Sequence, residues 1–414
     1  MRGDSKNPLP ATDRAAPAAP ALPRTLAQLC AFVRSALHGT LPDRAALPQT
    51  ETAWSTFGHE VARQRLGPFL LARLPPAAAQ LVPPAIVARF ARSRDVYAAH
   101  ATRQLAELDR ALDFLAAAGV SGRCLKGPLL SSWLYGSPGL RHASDLDLLV
   151  HESDVGAADA ALRRAGCRRI RPGFALSPRQ DREYRRAHYE FSYTAPGSGL
   201  EIELAWRLEE FTPAAWTRPA ASVHCHGRDY PVPPADLLAA YLCTHGARHG
   251  WCRLFWLLDV ALLFRREDVD WAAALALART HGADAPALQA AQLAASLFAV
   301  DPPAVLQPAN PTEARRTASL AREALRQLSL RPIEETTTRE WMRQLVYRLR
   351  LARDWPRRRE LLRPHLLSLA TWETVSLPDR WFAIYYLLTP PLWIVRRLRL
   401  AWRRLFPQPP PQNP

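Results

Sequence analysis

Residues 125–150 read LKGPLLSSWLYGSPGLRHASDLDLLV and close on Asp145-Leu146-Asp147-Leu148-Leu149-Val150. Two carboxylates stand one residue apart in a run of leucine and valine. In a strand, side chains alternate, so Asp145 and Asp147 share one face while Leu146 and Leu148 enter the core. Carboxylates about 6–7 Å apart along a strand repel one another and lose hydration together. A cation belongs between them. A pair of Mg²⁺ ions suits best, because hard cations take oxygen ligands and bridge to phosphates.

Outward from this stretch, Val120 to Leu125 reads as a short strand and Lys126-Gly127-Pro128 as a turn. Leu129 to Tyr135 reads as a helix, and Gly136-Ser137-Pro138-Gly139 as a loop. Asp154 to Ala165 has helical periodicity, closed by Gly166, and Cys167 to Ile170 begins another strand. His188 to Thr194 and Leu200 to Trp206 form two antiparallel strands joined by residues 195–199. On the second, Glu201 and Glu203 share a face. Glu203 lies deeper and is the candidate third carboxylate; Glu201, nearer the turn, is expected in solvent.

The chain carries 54 basic residues, and only Lys6 and Lys126 are lysine. A compact ammonium at Lys126 is therefore a choice against the prevailing arginine. Nucleotidyl transfer needs a gripped triphosphate, metals that neutralise developing charge, and an aligned acceptor hydroxyl. Lys126 and Gly127 would face the phosphates, since glycine admits close backbone approach. Arg141 would contact the triphosphate. Asp145 and Asp147 would bridge the metals. Glu203 would hold the metal that activates the acceptor and help take its proton.

The residues LKG, LY, GLR and SDLDLLV, then EIELAW, then LLAAYLCTHGARHGWCRLFWLLDVALLF and VDWAAAL resemble the bacterial uncharacterised nucleotidyltransferase family, within the polymerase-β-type superfamily. The resemblance covers roughly residues 50–280. It implies an α+β fold, a small mixed sheet flanked by helices, with metal-binding carboxylates on adjacent strands. It assigns Asp145 and Asp147 to the family's DxD pair and Glu203 to the third acidic position, before Leu-His-Trp. Here that sequence is Leu204-Ala205-Trp206, so the histidine's role is absent or supplied elsewhere, with His188 the candidate. The Lys126-Gly127 pair stands where the wider superfamily has a Gly-Ser turn. The Ala205 departure also admits a second class of function, a non-catalytic nucleotide-binding domain tethered to membrane.

The remaining chain reads as helical. Residues 1–24, rich in Ala and Pro, are expected as a disordered leader without the apolar core of a signal peptide. Residues 25–118 form a helical subdomain, 119–210 the nucleotidyltransferase core, and 211–330 a second helical subdomain. Residues 331–414 form a basic helical region. The helical content ahead of the DxD argues against a glycosyltransferase, which would place several parallel strands there. Asp259, inside LFWLLDVALLF, is expected to pair within the helices. Cys243, His245, His249 and Cys252 fit no common zinc spacing. The six cysteines, without any CxxC, point to reduced thiols and a cytoplasmic protein.

The net charge is +16, and residues 341–414 hold 14 arginines against 4 acids, leaving +10 there. Trp381 to Val395 is an apolar run of about 15 residues, too short to span a bilayer, and Pro390-Pro391 is expected to break it. The arginines that follow suit an anionic membrane surface. No aromatic and basic interleaving near the DxD suggests a nucleic-acid groove. The expected partners are a nucleoside triphosphate and an acceptor on a small molecule or protein.

Overall fold

The computed structural model describes residues 22–208, 216, 218–330 and 337–405. Most of the expected leader, residues 1–21, lies outside them. The fold is α+β. Its five-stranded sheet comprises β1 (Gly122–Cys124), β2 (Asp145–Val150), β3 (Arg168–Arg171), β4 (Glu190–Thr194) and β5 (Glu201–Ala205), in the order β1-β2-β5-β4-β3. β2 and β5 run parallel, and the other pairings are antiparallel. A separate hairpin joins β6 (Ala221–Cys225) to β7 (Arg228–Val232).

Register decides which residues meet. Asp145 lies opposite Glu201 and Asp147 opposite Glu203. Glu203 in turn faces Ser192, and Ser192 faces Arg171. A row of two carboxylates, a hydroxyl and a guanidinium therefore crosses one face of the sheet. The other face is apolar: Leu146, Leu148, Phe191, Tyr193, Ile202 and Leu204 are buried in one cluster with the second half of the helix Pro84–Ala117. This period-two separation lets β2 carry two carboxylates without placing charge in the core.

The helix Pro84–Ala117 has 34 residues, about 51 Å at 1.5 Å per residue. It ties two cores together. Ile86 and Phe90 belong to a cluster shared by the N-terminal helices and the helices from Ala235 to Leu351. Leu105, Leu108, Leu112 and Leu115 belong to the cluster under the sheet. Proline at its start supplies a helical φ where an N–H would have no partner.

One expectation about the C-terminus is corrected. The helix Ile384–Leu405 runs through Pro390 and Pro391 rather than breaking there. Each proline removes a donor to the carbonyl four residues earlier. Those residues, Tyr386 and Leu387, are exposed, as are both prolines, so water can take the missing bonds. No helix among the described residues is long and apolar enough to cross a membrane.

Candidate active site

The polar face of the sheet opens into a cavity of about 330 Å³, within the size range of small-molecule sites. Asp145, Asp147, Glu203 and Glu190 line it, with Lys126, Gly127 and Arg141. The six residues assigned to metal and phosphate from sequence, Lys126, Gly127, Arg141, Asp145, Asp147 and Glu203, thus border one cavity. β2 and β5 present the three carboxylates because their parallel register sets Asp147 beside Glu203 and Asp145 two residues back on the same face.

Lys126 is the N-cap residue of the helix Gly127–Tyr135, so the expected turn is a helix start. Gly127 adopts φ +71, a left-handed conformation that glycine takes without cost. The Lys126 ammonium lies 2.8 Å from Asp147 Oδ1, with little of either side chain exposed, and 5.7 Å from the Tyr241 ring centroid. Burial works against its charge, but Asp147, Tyr241, Asp145 and Glu203 outweigh burial and raise it well above the ordinary lysine range. It is a cation at any physiological pH.

The carboxylates feel the opposite pressure. Burial pushes the Asp147 carboxyl up, and Lys126 holds it partly down. Glu203 is pushed up to about 10, by burial first and then by Asp147, Glu190 and Asp145. Lys126 pulls the other way without cancelling these effects, so the cluster favours the protonated form of Glu203. Asp147 Oδ2 is buried and has no hydrogen-bond partner. Such an oxygen costs about 1–3 kcal/mol or more unless something supplies the missing contact.

Arg141 differs from its expected role. Its Nε donates to both carboxylate oxygens of Asp259 at 2.9 Å, and the Tyr135 hydroxyl donates to Asp259 Oδ1 at 2.7 Å. Asp259, expected to pair within its own helices, pairs instead with the loop before β2 and the helix Gly127–Tyr135, because those are the elements that bring a cation and a hydroxyl to it. Arg141 thereby forms a fixed wall of the cavity rather than a mobile clamp. Arg65 and Arg171 also line the cavity. Arg65 sits at φ 59, and its Nη1 lies 2.7 Å from His142 Nδ1. Burial first, then Arg65, holds His142 down to about 4.

His188 does not take the place of the missing family histidine in this cavity. Its ring stacks on Tyr184 at 4.4 Å, while the cavity is bordered by His142, His245 and His249. Ala205 is buried and faces Glu190. His245 and His249 lie 4.8 Å apart and both pack on Trp256, whereas Cys243 belongs to the hydrophobic cluster and does not line the cavity. The four residues weighed for zinc do not assemble. Tyr241, His245, Arg248 and His249 instead form a stripe along one helix that faces the carboxylates. Their i, i+4, i+7, i+8 spacing was the available signal.

Among the described residues, no group of three or more His, Cys, Asp or Glu stands in a metal-holding arrangement. As placed, Asp147 Oδ1 is taken by Lys126. The donor set nonetheless suits a hard cation: it is all oxygen, and it includes the orphaned Asp147 Oδ2.

The architecture and the cavity define an α+β protein whose mixed sheet offers carboxylates from parallel neighbours to a cleft that also holds Lys126 and several arginines. A family model described as uncharacterised nucleotidyltransferase matches residues 50–299, more than half of the chain, and the chain belongs to that family. Membership supports nucleotidyl transfer in general. No curated protein and no solved structure matched the chain.

Proposed function

We propose that the protein is a Mg²⁺-dependent nucleotidyltransferase that moves a nucleoside monophosphate from an NTP to a hydroxyl acceptor on a small molecule or protein. The observation that carries this reading is the pairing of Asp147 with Glu203, with Asp145 on the same face of a cation-lined cavity. Asp145, Asp147 and Glu203 would hold the metal, which supplies charge neutralisation at the phosphates. Lys126 and the start of the helix Gly127–Tyr135 offer an ammonium and backbone amides to phosphate oxygens. Arg65 and Arg171 add guanidinium forks along the wall. In the transfer, the acceptor oxygen bonds to the α-phosphorus, the bond to the leaving pyrophosphate breaks, and Glu203, once ionised, accepts the hydroxyl proton.

A screen of four NTPs tests the binding half of this reading. At least one should raise Tm in the presence of Mg²⁺, by an increment equivalent to about 2.7 kcal/mol at a hundredfold excess over Kd. The Asp145→Ala, Asp147→Ala double variant should show no shift. Equal shifts in both proteins would remove these carboxylates from the site.

The C-terminal helix supports a peripheral membrane contact. Leu387, Ile394, Leu398 and Trp402 are exposed at helical spacing and form one apolar stripe. Tyr385 and Thr389, on the opposite side, are buried against the protein. Arg396, on that same buried side, is held by the Ala370 carbonyl and lies 3.1 Å from Thr374 Oγ1. Apolar residues outward, with Arg397 and Arg399 to either side of the stripe, match a helix lying on anionic lipid. Full-length protein should co-sediment with vesicles containing anionic phospholipid and not with neutral ones. Ile394→Glu with Leu398→Glu should abolish that binding; retention by the double variant would place the contact elsewhere.

A further inference from the structure

A second cavity, of about 200 Å³, adjoins the first and shares Tyr189 and Arg248 with it. Five arginines line it, Arg186, Arg207, Arg248, Arg348 and Arg357, against a single acid, Glu360. One wall comes from residues 186–248 inside the family match, the other from residues 345–365 beyond it. The C-terminal region thus builds a feature onto the family core. Glu360 Oε2 lies 2.8 Å from Arg357 Nη1, and Glu183, outside the lining, lies 3.0 Å from Arg186 Nη1, so two of the five arginines have a carboxylate partner and the lining still carries an excess of positive charge. Arg207 donates through Nη2 to the carbonyls of Arg185 and His188, and its Nε is buried without a hydrogen-bond partner. Burial, Arg171 and Arg207 push His188 down to about 4, and burial with Arg348 lowers His365. The positive charge of the cavity is therefore arginine alone.

We propose that this cavity is an oxyanion subsite that takes a phosphate group carried by the acceptor. A carboxylate would answer one guanidinium; a phosphate group brings nearly two charges and three strong acceptor oxygens, which suits several converging forks. The shared wall of Tyr189 and Arg248 would hold the remainder of the acceptor beside Asp147 and Glu203. The acceptor role rests on the nucleotidyl-transfer reading; the anion site itself does not.

Calorimetric titration of the full chain with inorganic phosphate, without nucleotide, tests the site. Arg207→Gln should weaken binding at least fivefold. Arg186→Gln should weaken it about threefold, and with a side chain 63% exposed it leaves the fold undisturbed. Arg65→Gln, in the first cavity only, should leave it within twofold. A non-hydrolysable NTP analogue should not displace the phosphate. The proposal is overturned if Arg65→Gln weakens binding while Arg186→Gln and Arg207→Gln do not, if the analogue displaces phosphate, or if wild type binds none. Absence of nucleotide transfer with phosphate binding intact would refute the enzymatic reading and leave the subsite standing.

Discussion

Asp147→Asn should reduce nucleotidyl transfer by about 10³-fold or more, read as label moved from an α-labelled NTP into a cell extract. Asparagine keeps the volume of aspartate and removes the charge that both the proposed metal and Lys126 require. The same change should destabilise the protein, because Lys126 then keeps a buried ammonium with no carboxylate at 2.8 Å. Breaking such a pair from one side costs about 3–5 kcal/mol, whereas replacing both partners by neutral groups is often close to neutral. The double variant Lys126→Met, Asp147→Asn should therefore recover most of the lost Tm and none of the activity. That separation is the point of the experiment. Activity within tenfold of wild type in a folded Asp147→Asn protein would show that the carboxylate serves the fold alone. Recovery of activity in the double variant would show that the single change acted only through stability.

Much of the sheet was legible because its strands carry period-two signals. DLDLLV and EIELA each alternate acid with aliphatic, and both became strands with the acids on one face. The antiparallel pairing of β4 with β5 followed from the short glycine-containing connection. The adjacency of β2 and β5 was implied by the family resemblance, but the residues themselves did not reveal it or its parallel direction, since 50 residues and two strands intervene between Val150 and Glu201. It depends on long-range packing. The hairpin β6–β7 was missed although its signal was present: two short β-prone runs separated by His226-Gly227, both at positive φ. The helix Pro178–Ala187 was likewise announced by the capping box at Ser177 and Gln180.

The site divides in the same way. The carboxylates and Lys126 were found because a charged residue in an apolar or arginine-dominated setting stands out against its neighbours. Arg65, Arg171 and the stripe on the helix Ala235–Arg248 were not found. Arginine is so common in this chain that no single one is conspicuous, and only tertiary packing shows which of them reach the cavity. Arg141 is the instructive case. Its place before β2 suggested phosphate contact, but the buried Asp259 on a distant helix captures it. A buried carboxylate has to find a cation, and that demand was visible in the sequence at Asp259 without revealing its partner.

Glu203→Gln should stabilise the protein in the presence of a chelator, by an amount that grows with pH. The sign follows from the folded carboxyl, which is pushed up to about 10 against 4.5 for the ordinary group. Below pH 4.5 the side chain is protonated in both folded and unfolded chains and contributes no pH dependence. Above it, the unfolded chain releases the proton while the folded protein retains it, so stability falls as pH rises toward the folded value. Each pH unit in that window is worth about 1.4 kcal/mol, so the gap between variant and wild type should widen by up to about 4 kcal/mol from pH 5 to pH 8. Glutamine keeps the neutral shape of the protonated acid and has no proton to lose, which isolates the effect. The denaturation midpoints of the two proteins, measured in parallel at each pH, give the slope directly. A gap that stays flat from pH 5 to pH 8 would mean that Glu203 is ionised in the folded protein. The repulsion among Asp145, Asp147, Glu190 and Glu203 would then already be relieved by protein cations. A widening gap means that the cluster holds a proton where the proposed chemistry requires a divalent cation, and that binding such a cation must displace it.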